Sequence, residues 1–156
     1  MKLSSLRLFA AFGLLAAAAE PAAAARFTGS CNVDKMKYVI VDTTASTTSN
    51  ALVPVPGSSI NFTQTVAGCV EVEFTASATA QGTNSMSVQA YIDGQYFGGT
   101  APVWFFTRGD VGQAVHSMTA IFTDVQPGLH NIQINYASDD GDPVFINQRH
   151  LVVRYH

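Results

Sequence analysis

Apolar and polar residues alternate along most of this chain after residue 25. From Val70 to Ala78 the apolar residues stand at every second position, and Glu, Thr and Ser stand between them. A period of two is typical of a β-strand that buries one face and leaves the other in solvent. The residues after position 25 show no segment with the period of a helix. The pattern therefore predicts an all-β protein.

The other alternating segments are short, and Gly, Pro, Asn and Asp separate them. Asp93-Gly94 predicts a two-residue hairpin turn, and Gln126-Pro127-Gly128 predicts a type II turn. The stretch from Asp42 to Ser59 is rich in Ser and Thr and contains Pro54 and Pro56, so it predicts a long loop or an edge segment. The predicted strands are 37–43, 60–66, 70–78, 86–92, 103–107, 114–122, 129–136, 144–147 and 151–155. This many short strands predict a two-sheet antiparallel sandwich of the jelly-roll type.

The first 25 residues have the three-part order of a secretory signal peptide. Lys2 and Arg7 precede an apolar run from Leu8 to Ala19, and small residues end the segment at Ala23 and Ala25. The apolar run is shorter than the roughly 20 residues that a membrane-spanning helix needs. We expect cleavage after Ala25, with cleavage after Ala19 as the alternative. The predicted product is a secreted or periplasmic protein, without stable membrane insertion, whose residues 26–156 form a single β-sandwich domain.

Two cysteines, Cys31 and Cys69, follow the predicted signal peptide. In an oxidising compartment an even pair most simply forms one disulfide, so we predict a Cys31–Cys69 bond. A lipid-modified cysteine would stand directly after the apolar run with a Leu-like residue three places earlier. Cys31 lies well beyond Ala19 and has Thr28 at that place, so the sequence disfavours a lipoprotein.

The charge pattern narrows the classes of partner. The chain has 8 Lys and Arg against 11 Asp and Glu, a formal net charge of −3, and the cations are dispersed. Nucleic acids and anionic membrane surfaces select clustered cations, which displace counterions. The sequence therefore speaks against both as partners.

The C-terminal part of the chain carries a resemblance to a known family. Residues 122–136 (FTDVQPGLHNIQINY) and 149–153 (RHLVV) resemble the closing strands of secreted bacterial jelly-roll modules. Some of these are calcium-dependent carbohydrate-binding modules, and the order Ile92-Asp93-Gly94, Gly128-Leu129-His130, Gln148-Arg149-His150-Leu151 is similar to theirs. Gln148 stands where that pattern has a metal-binding Asp. The resemblance covers about half of the predicted domain and implies a jelly roll, with carbohydrate as a ligand.

The segment Ser138-Asp-Asp-Gly-Asp-Pro143 places three carboxylates within four positions. Calcium prefers hard oxygen ligands from a flexible loop, so Asp139, Asp140 and Asp142 are candidate Ca²⁺ ligands. The spacing differs from that of an EF-hand loop. The alternative is an acidic β-turn without metal, because Asp and Gly favour turns.

Aromatic residues supply a second candidate site. If Asp93-Gly94 is a two-residue turn, Tyr91 lies opposite Tyr96 across the hairpin. Met86, Val88, Ala90 and Ile92 are the apolar positions that should face the core, so the tyrosines should face outward. Trp104 is a third candidate for exposed aromatic surface. Such surface suits stacking on sugar rings or contact with a protein partner. The alternative is that the rings cover a sheet edge or pack under the 42–59 loop.

Residues with catalytic chemistry show no enzyme-like arrangement in the sequence. Glu71 and Glu73 share a strand face, but a glycosidase pair flanks a bond from different strands in a cleft. His116 and Ser117 are adjacent in a strand and should point to opposite faces, whereas His130 should bond to the turn before it or cap the sheet.

We therefore predict an exported, non-enzymatic binding module for carbohydrate. Tyr91, Tyr96 and Trp104 are its predicted contacts, and Ca²⁺ is a candidate cofactor. One alternative is a structural subunit of a cell-surface or extracellular homo-oligomer. Another is a small secreted hydrolase.

Overall fold

A computed structural model describes residues 29–81, 84–96, 103–106 and 112–156. In 103–106 the backbone and the Phe105 side chain are described. The predicted signal peptide lies outside these residues. Nine strands are present within them: β1 Lys35–Val41, β2 Ala45–Thr47, β3 Val53–Gln64, β4 Gly68–Ala80, β5 Met86–Ile92, β6 Val103–Phe106, β7 Ala114–Val125, β8 Gly128–Ser138 and β9 Val144–Tyr155. Nothing in these ranges forms a helix that could span a membrane.

The strands form two antiparallel sheets. One has five strands in the order β1-β9-β4-β7, with the short β2 pairing beside β1 on β9, and the other has four in the order β3-β8-β5-β6. Apart from β2, these eight strands make the two four-stranded sheets of a jelly roll, in which consecutive strands often cross from one sheet to the other. The all-β, two-sheet antiparallel fold is thus confirmed.

Alternation places the core between the sheets. In β4 the buried residues Val70, Val72, Phe74 and Ala76 face the other sheet, and Glu71 and Glu73 lie on the outside. The core phase of β5 is likewise fully buried. In β4 and β5, one pairing register is therefore enough to bury all the apolar side chains that alternate along the strand.

Two predictions of strand boundaries were wrong. Residues 144–147 and 151–155 belong to one strand, β9, because Gln148 takes a positive φ of 34° and the pairing with β4 shifts by one residue there. This β-bulge absorbs an extra residue without ending the strand. The strand predicted at 60–66 begins earlier, at Val53, so the 42–59 stretch contains β2 and the start of β3. Because β3 is the outer strand of its sheet, Pro54, which has no backbone N–H, does not interrupt a central strand. This agrees with the prediction that the stretch is an edge segment.

Buried Arg149 joins the two sheets beside the β9 bulge. It is only 2% exposed, and its Nε donates to Ser58 Oγ at 3.1 Å. One terminal nitrogen donates to Pro56 O at 2.6 Å, and the other donates to Thr43 O. These acceptors are uncharged, so burial lowers the pKa of Arg149, while its interaction with Tyr136 opposes that shift.

Two of the three acceptors of Arg149, on Pro56 and Ser58, lie at an irregular part of β3. Pairing with β8 shifts between Pro54 and Ser59, and Gly57 has a φ of 74°. A Cβ at Gly57 would lie 3.3 Å from Val41 Cγ2, so glycine suits both the backbone and the space. The bulge frees main-chain carbonyls from the ladder, and Arg149 supplies donors for them.

The predicted disulfide is confirmed. Cys31 and Cys69 are bonded, with a Cα–Cα distance of 5.6 Å and a sequence separation of 38. The bond fastens the segment before β1 to the start of β4. A closed loop of this size stabilises a fold by roughly 3–4 kcal/mol in the chain-entropy account.

We predict that Arg149→Met lowers the free energy of unfolding by about 3–5 kcal/mol, because Thr43 O, Pro56 O and Ser58 Oγ lose their buried donors. Arg154→Met, on the outer face of the same strand, should cost less than about 1 kcal/mol. Urea unfolding of both variants measures the difference. Equal losses in the two variants would contradict the role of Arg149.

Candidate functional site

The hairpin after β5 brings two tyrosines together. Ile92 and Gln95 exchange both backbone hydrogen bonds at 2.9 Å around the Asp93-Gly94 turn. Asp93 and Gly94 have φ values of 51° and 75°, as a type I′ turn requires. The Tyr91 and Tyr96 ring centroids lie 6.0 Å apart at an interplanar angle of 75°. The predicted facing of these two residues is confirmed, and their contact with a ligand stays a prediction.

The two rings differ in exposure. Tyr96 is 59% exposed, whereas Tyr91 is half-buried and its hydroxyl donates to Gln89 Oε1 at 3.5 Å. The edge of one ring meets the face of the other, so they enclose a corner and not a flat platform.

Uncharged polar side chains occupy the outer face of the four-stranded sheet beside the tyrosines. In the pairing register Tyr91 lies opposite Gln133, which lies opposite Ser59. The outer-phase residues of β3, β5 and β8 that surround this row share amide or hydroxyl groups: Asn61, Ser87, Gln89, Asn131 and Asn135. Together with Tyr91, Gln133 and Ser59 we call this surface the amide face. Ser87 and Gln89 are buried, so apart from Tyr91 its accessible part lies on β3 and β8.

Several of these amides are fixed by internal bonds. Asn131 Nδ2 donates to Asn61 Oδ1 at 2.8 Å. Gln133 Nε2 lies 2.8 Å from Ile134 O and 3.2 Å from Ser58 O. Asn135 Oδ1 is buried and has no hydrogen-bond partner within the described residues. The amide face is therefore partly pre-organised before any ligand arrives.

Trp104 lies in β6, where its backbone pairs in register with Ser87 of the amide face. Ser87 lies four positions along β5 from Tyr91, which is about 13 Å at the usual rise of a strand. The side chain of Trp104 lies outside the described residues. The neighbouring Phe105 is buried and packs against Phe74 with a centroid distance of 5.6 Å.

His130 closes the end of the core next to the tyrosine hairpin. Its Nδ1 lies 2.7 Å from Asp93 Oδ2, and its Nε2 lies 2.8 Å from Gln126 O. Its ring also packs against Phe62, with centroids 5.5 Å apart. The prediction that His130 bonds to the turn before it is confirmed, and the Asp93 partner adds a link between two turns.

Both ring nitrogens of His130 face acceptors, so the geometry favours the doubly protonated imidazolium. Burial lowers the pKa of His130, but the hydrogen bonds to Asp93 and Gln126 O outweigh that effect and raise the pKa overall. Burial raises the pKa of Asp93, but the bonds from His130 and from the Asn131 backbone N–H lower it overall. Both shifts and the geometry thus favour the charged form of each partner.

A shallow depression lies at this end of the sandwich. Its volume is about 320 Å³, and Asp93, Gln95, Asp124, Gln126 and His130 line it with two apolar neighbours. Asp124 has a φ of 58° where β7 bulges against β4. Amides and a carboxylate at this opening can hydrogen-bond hydroxyl groups.

The acidic turn is organised by a buried amide. Asn84 Nδ2 donates to Ser138 Oγ at 2.9 Å and to Asp142 O at 2.7 Å, and its Oδ1 accepts from Asp140 N at 3.0 Å. In the described ranges no three His, Cys, Asp or Glu side chains converge in a way that could hold a metal ion. The inner side of the turn is thus filled by Asn84, and calcium at Asp139, Asp140 and Asp142 stays a prediction.

The two glutamates of β4 form an ion-pair network on the other sheet. Arg154 of β9 lies 2.9 Å from Glu71 Oε1 and 3.2 Å from Glu73 Oε2. This agrees with their predicted place on the solvent face. The bond between Thr75 Oγ1 and Ser117 Oγ, 2.8 Å long, lies on the same outer face, while His116 packs against Phe105.

Sequence reasoning missed the structural roles of Asn84, Arg149 and Gln133. Asn84 bonds residues 54 and 58 positions away, and Arg149 bonds Thr43 across 106 positions. A polar residue at a core-phase position of a strand is the one signal that could have singled out Arg149.

The protein was compared with known proteins. No family profile matches this chain, and no curated protein does. VP2 of the infectious bursal disease virus subviral particle aligns with a TM-score of 0.52 and 12% identity, over 80% of this chain and 34% of that one. VP2 in virus-derived T=1 particles aligns with a TM-score of 0.51 and 12% identity, over 80% and 32%.

A family two carbohydrate esterase from Cellvibrio japonicus aligns at a TM-score of 0.31 and 14% identity, over 78% of this chain and 34% of the esterase. The chain thus spans about a third of the length of these proteins. At such identities the VP2 likeness shows the fold alone, a jelly-roll-like β-sandwich.

The His130–Asp93 pair predicts a pH dependence of stability. The raised pKa of His130 makes its contribution complete below the ordinary value of about 6.5 and lost as the pH rises through the folded-state pKa. The lowered pKa of Asp93 makes its contribution present above about 3.9 and lost as the pH falls through the folded-state pKa. The stabilisation is greatest between these limits, and solvent screening of half-exposed Asp93 holds it to about 1 kcal/mol or less.

Urea unfolding at about pH 5.5 and about pH 8.5 tests this. His130→Gln should destabilise the protein more at the lower pH, and His150→Gln, at an exposed position of β9, serves as the control. An equal effect of His130→Gln at both pH values would contradict the ion pair.

Proposed function

We propose that this chain is an exported, non-enzymatic module that binds carbohydrate at the Tyr91–Tyr96 corner and the amide face. The observation that carries the proposal is the corner itself: an exposed tyrosine ring meets a second ring edge-on beside an uncharged polar sheet surface. Sugar rings have apolar C–H faces and hydroxyl rims, so they need both an aromatic plane and hydrogen-bonding groups.

The side chains that make up the amide face carry no charge, which supports a neutral ligand. Its side chains are amides, hydroxyls and a tyrosine, and of the two carboxylates that line the neighbouring depression, Asp93 is paired with His130. A neutral sugar finds donors and acceptors here without the cost of desolvating a charge. The edge-on ring angle of 75° suits a single sugar ring seated in a corner more than a chain laid on a flat surface.

Export and a non-enzymatic role have separate support. The Cys31–Cys69 bond is typical of oxidising compartments outside the cytoplasm. The Glu71–Glu73 pair, which the sequence offered as a carboxylate pair, is bound to Arg154 on the opposite sheet from the tyrosines.

Binding is tested with the chain from residue 26 onward on an array of neutral and charged glycans, followed by calorimetry with a soluble monovalent sugar that binds. Tyr96→Ala and Tyr91→Ala should each weaken the affinity about tenfold or more, since a lost stacking contact costs about 1.4 kcal/mol or more. Tyr38→Ala removes an equally exposed tyrosine from the other sheet and should leave the affinity per site unchanged. Failure to bind any glycan, or equal effects of all three variants, would contradict the proposal.

Calcium is tested independently of the sugar. A Ca²⁺ ion held by Asp139, Asp140 and Asp142 should raise the melting temperature on addition of CaCl₂, EDTA should reverse the rise, and Asp142→Asn should reduce it. A melting temperature that does not respond to calcium would contradict a Ca²⁺ site at this turn.

A further inference from the structure

Strand β1 presents three of its five apolar side chains to solvent, while Val39 and Val41 face the other sheet. Met36, Tyr38 and Ile40 lie on the outer face of the five-stranded sheet and are 58%, 65% and 54% exposed. Lys35 and Lys37 take the opposite phase, toward the other sheet. A strand that buries one face normally has charged or polar residues on its outer face. The outer face of β1 is instead apolar, as is typical of a surface that contacts another chain.

The apolar residues of β1 are confined to the edge of the sheet. In register next to Met36 lies Arg154, followed by Glu71, and these two side chains are ion-paired. A partner packed face-to-face on this sheet would bury the Arg154 network at a desolvation cost. A partner strand added alongside β1 would cover the apolar stripe and leave the network in water.

The lysines of β1 do not obstruct its free edge. Lys37 Nζ donates to Asn61 O of β3 at 2.8 Å, and Lys35 Nζ donates to Oγ1 of Thr65, directly after β3, at 3.2 Å. Both lysines are thus bonded within the same molecule. The backbone groups of an edge strand that point away from the sheet are open to another strand. Strand β7, at the opposite edge, exposes Val115 and Ile121, but Ser117 and Thr119 interrupt them on the same face.

We propose that a second copy of this chain pairs antiparallel with β1 about a two-fold axis at Tyr38. In this register Tyr38 faces Tyr38 of the second copy, Met36 faces its Ile40, and Lys37 faces its Val39. No lysine lies opposite a lysine, and the two apolar stripes join into one strip of six side chains. The strand is thus complementary to itself, which a two-fold interface requires.

The proposed contact is small. One strand of seven residues with three apolar side chains falls below the roughly 1,200 Å² of total buried area that marks standard interfaces. We therefore expect a reversible dimer with a dissociation constant in the micromolar range, about 1–100 μM.

Sedimentation of the chain from residue 26 onward, over a concentration series that brackets this range, tests the dimer. Tyr38→Glu places two carboxylates face to face on the axis, as Tyr38→Lys does with two ammonium groups, so each variant alone should weaken the dimer more than about 100-fold. An equimolar mixture of the two variants should dimerise again, because opposite charges then meet across the axis. Only self-facing of residue 38 gives this rescue.

Ile121→Glu serves as the control, since it adds a charge on the same sheet face at the other edge and should leave the dimer intact. Circular dichroism and the melting temperature establish that each variant is folded. A monomeric wild-type protein throughout the series, a dimer that survives Tyr38→Glu, or a mixture that stays monomeric would each overturn the proposal. The sugar-binding surface lies on the other sheet, so neither result depends on glycan binding.

Discussion

The buried guanidinium of Arg149 is the polar contact that ties the β9 bulge in one sheet to the β3 bulge in the other. It reaches from β9 in one sheet to the bulge of β3 in the other and to Thr43 between β1 and β2. The bulge removes Pro56 O from the ladder, and Arg149 supplies a donor for it. Gln133 bonds Ser58 O from the amide face, while Arg149 bonds Ser58 Oγ from inside. The same bulge is thus held from both sides, and the register of the amide face depends on it.

Strands and turns with local patterns were predictable from the sequence. Alternation located β4 and β5, and Asp93-Gly94 determined which residues face each other across the hairpin, because a two-residue turn fixes the register. The division of β9 failed because Asn147-Gln148 looks like a turn locally. In the fold it is a bulge whose strand continues, since β4 pairs with it on both sides of Gln148.

The candidate site was predictable only in part. Tyr91 and Tyr96 were found because their contact is set within six residues by a turn. The amide face combines three strands that are remote in sequence, and its members look like ordinary solvent-phase residues when each strand is considered alone. The Asn84 contacts in the acidic turn and the Asp93–His130 pair likewise join segments 37 to 58 positions apart. Topology creates these contacts, and no local period encodes them.

The symmetry of the proposed dimer determines where its two tyrosine corners lie. Antiparallel pairing at β1 places the two-fold axis perpendicular to the joined five-stranded sheets, so corresponding faces of the two copies point in the same direction. Both tyrosine corners of the proposed dimer then lie on one side of the assembly. A surface with many sugar chains could engage both corners at once, and linked sites gain affinity without any new contact. The proposed dimer at β1 and the proposed sugar site at the tyrosine corner are therefore geometrically compatible.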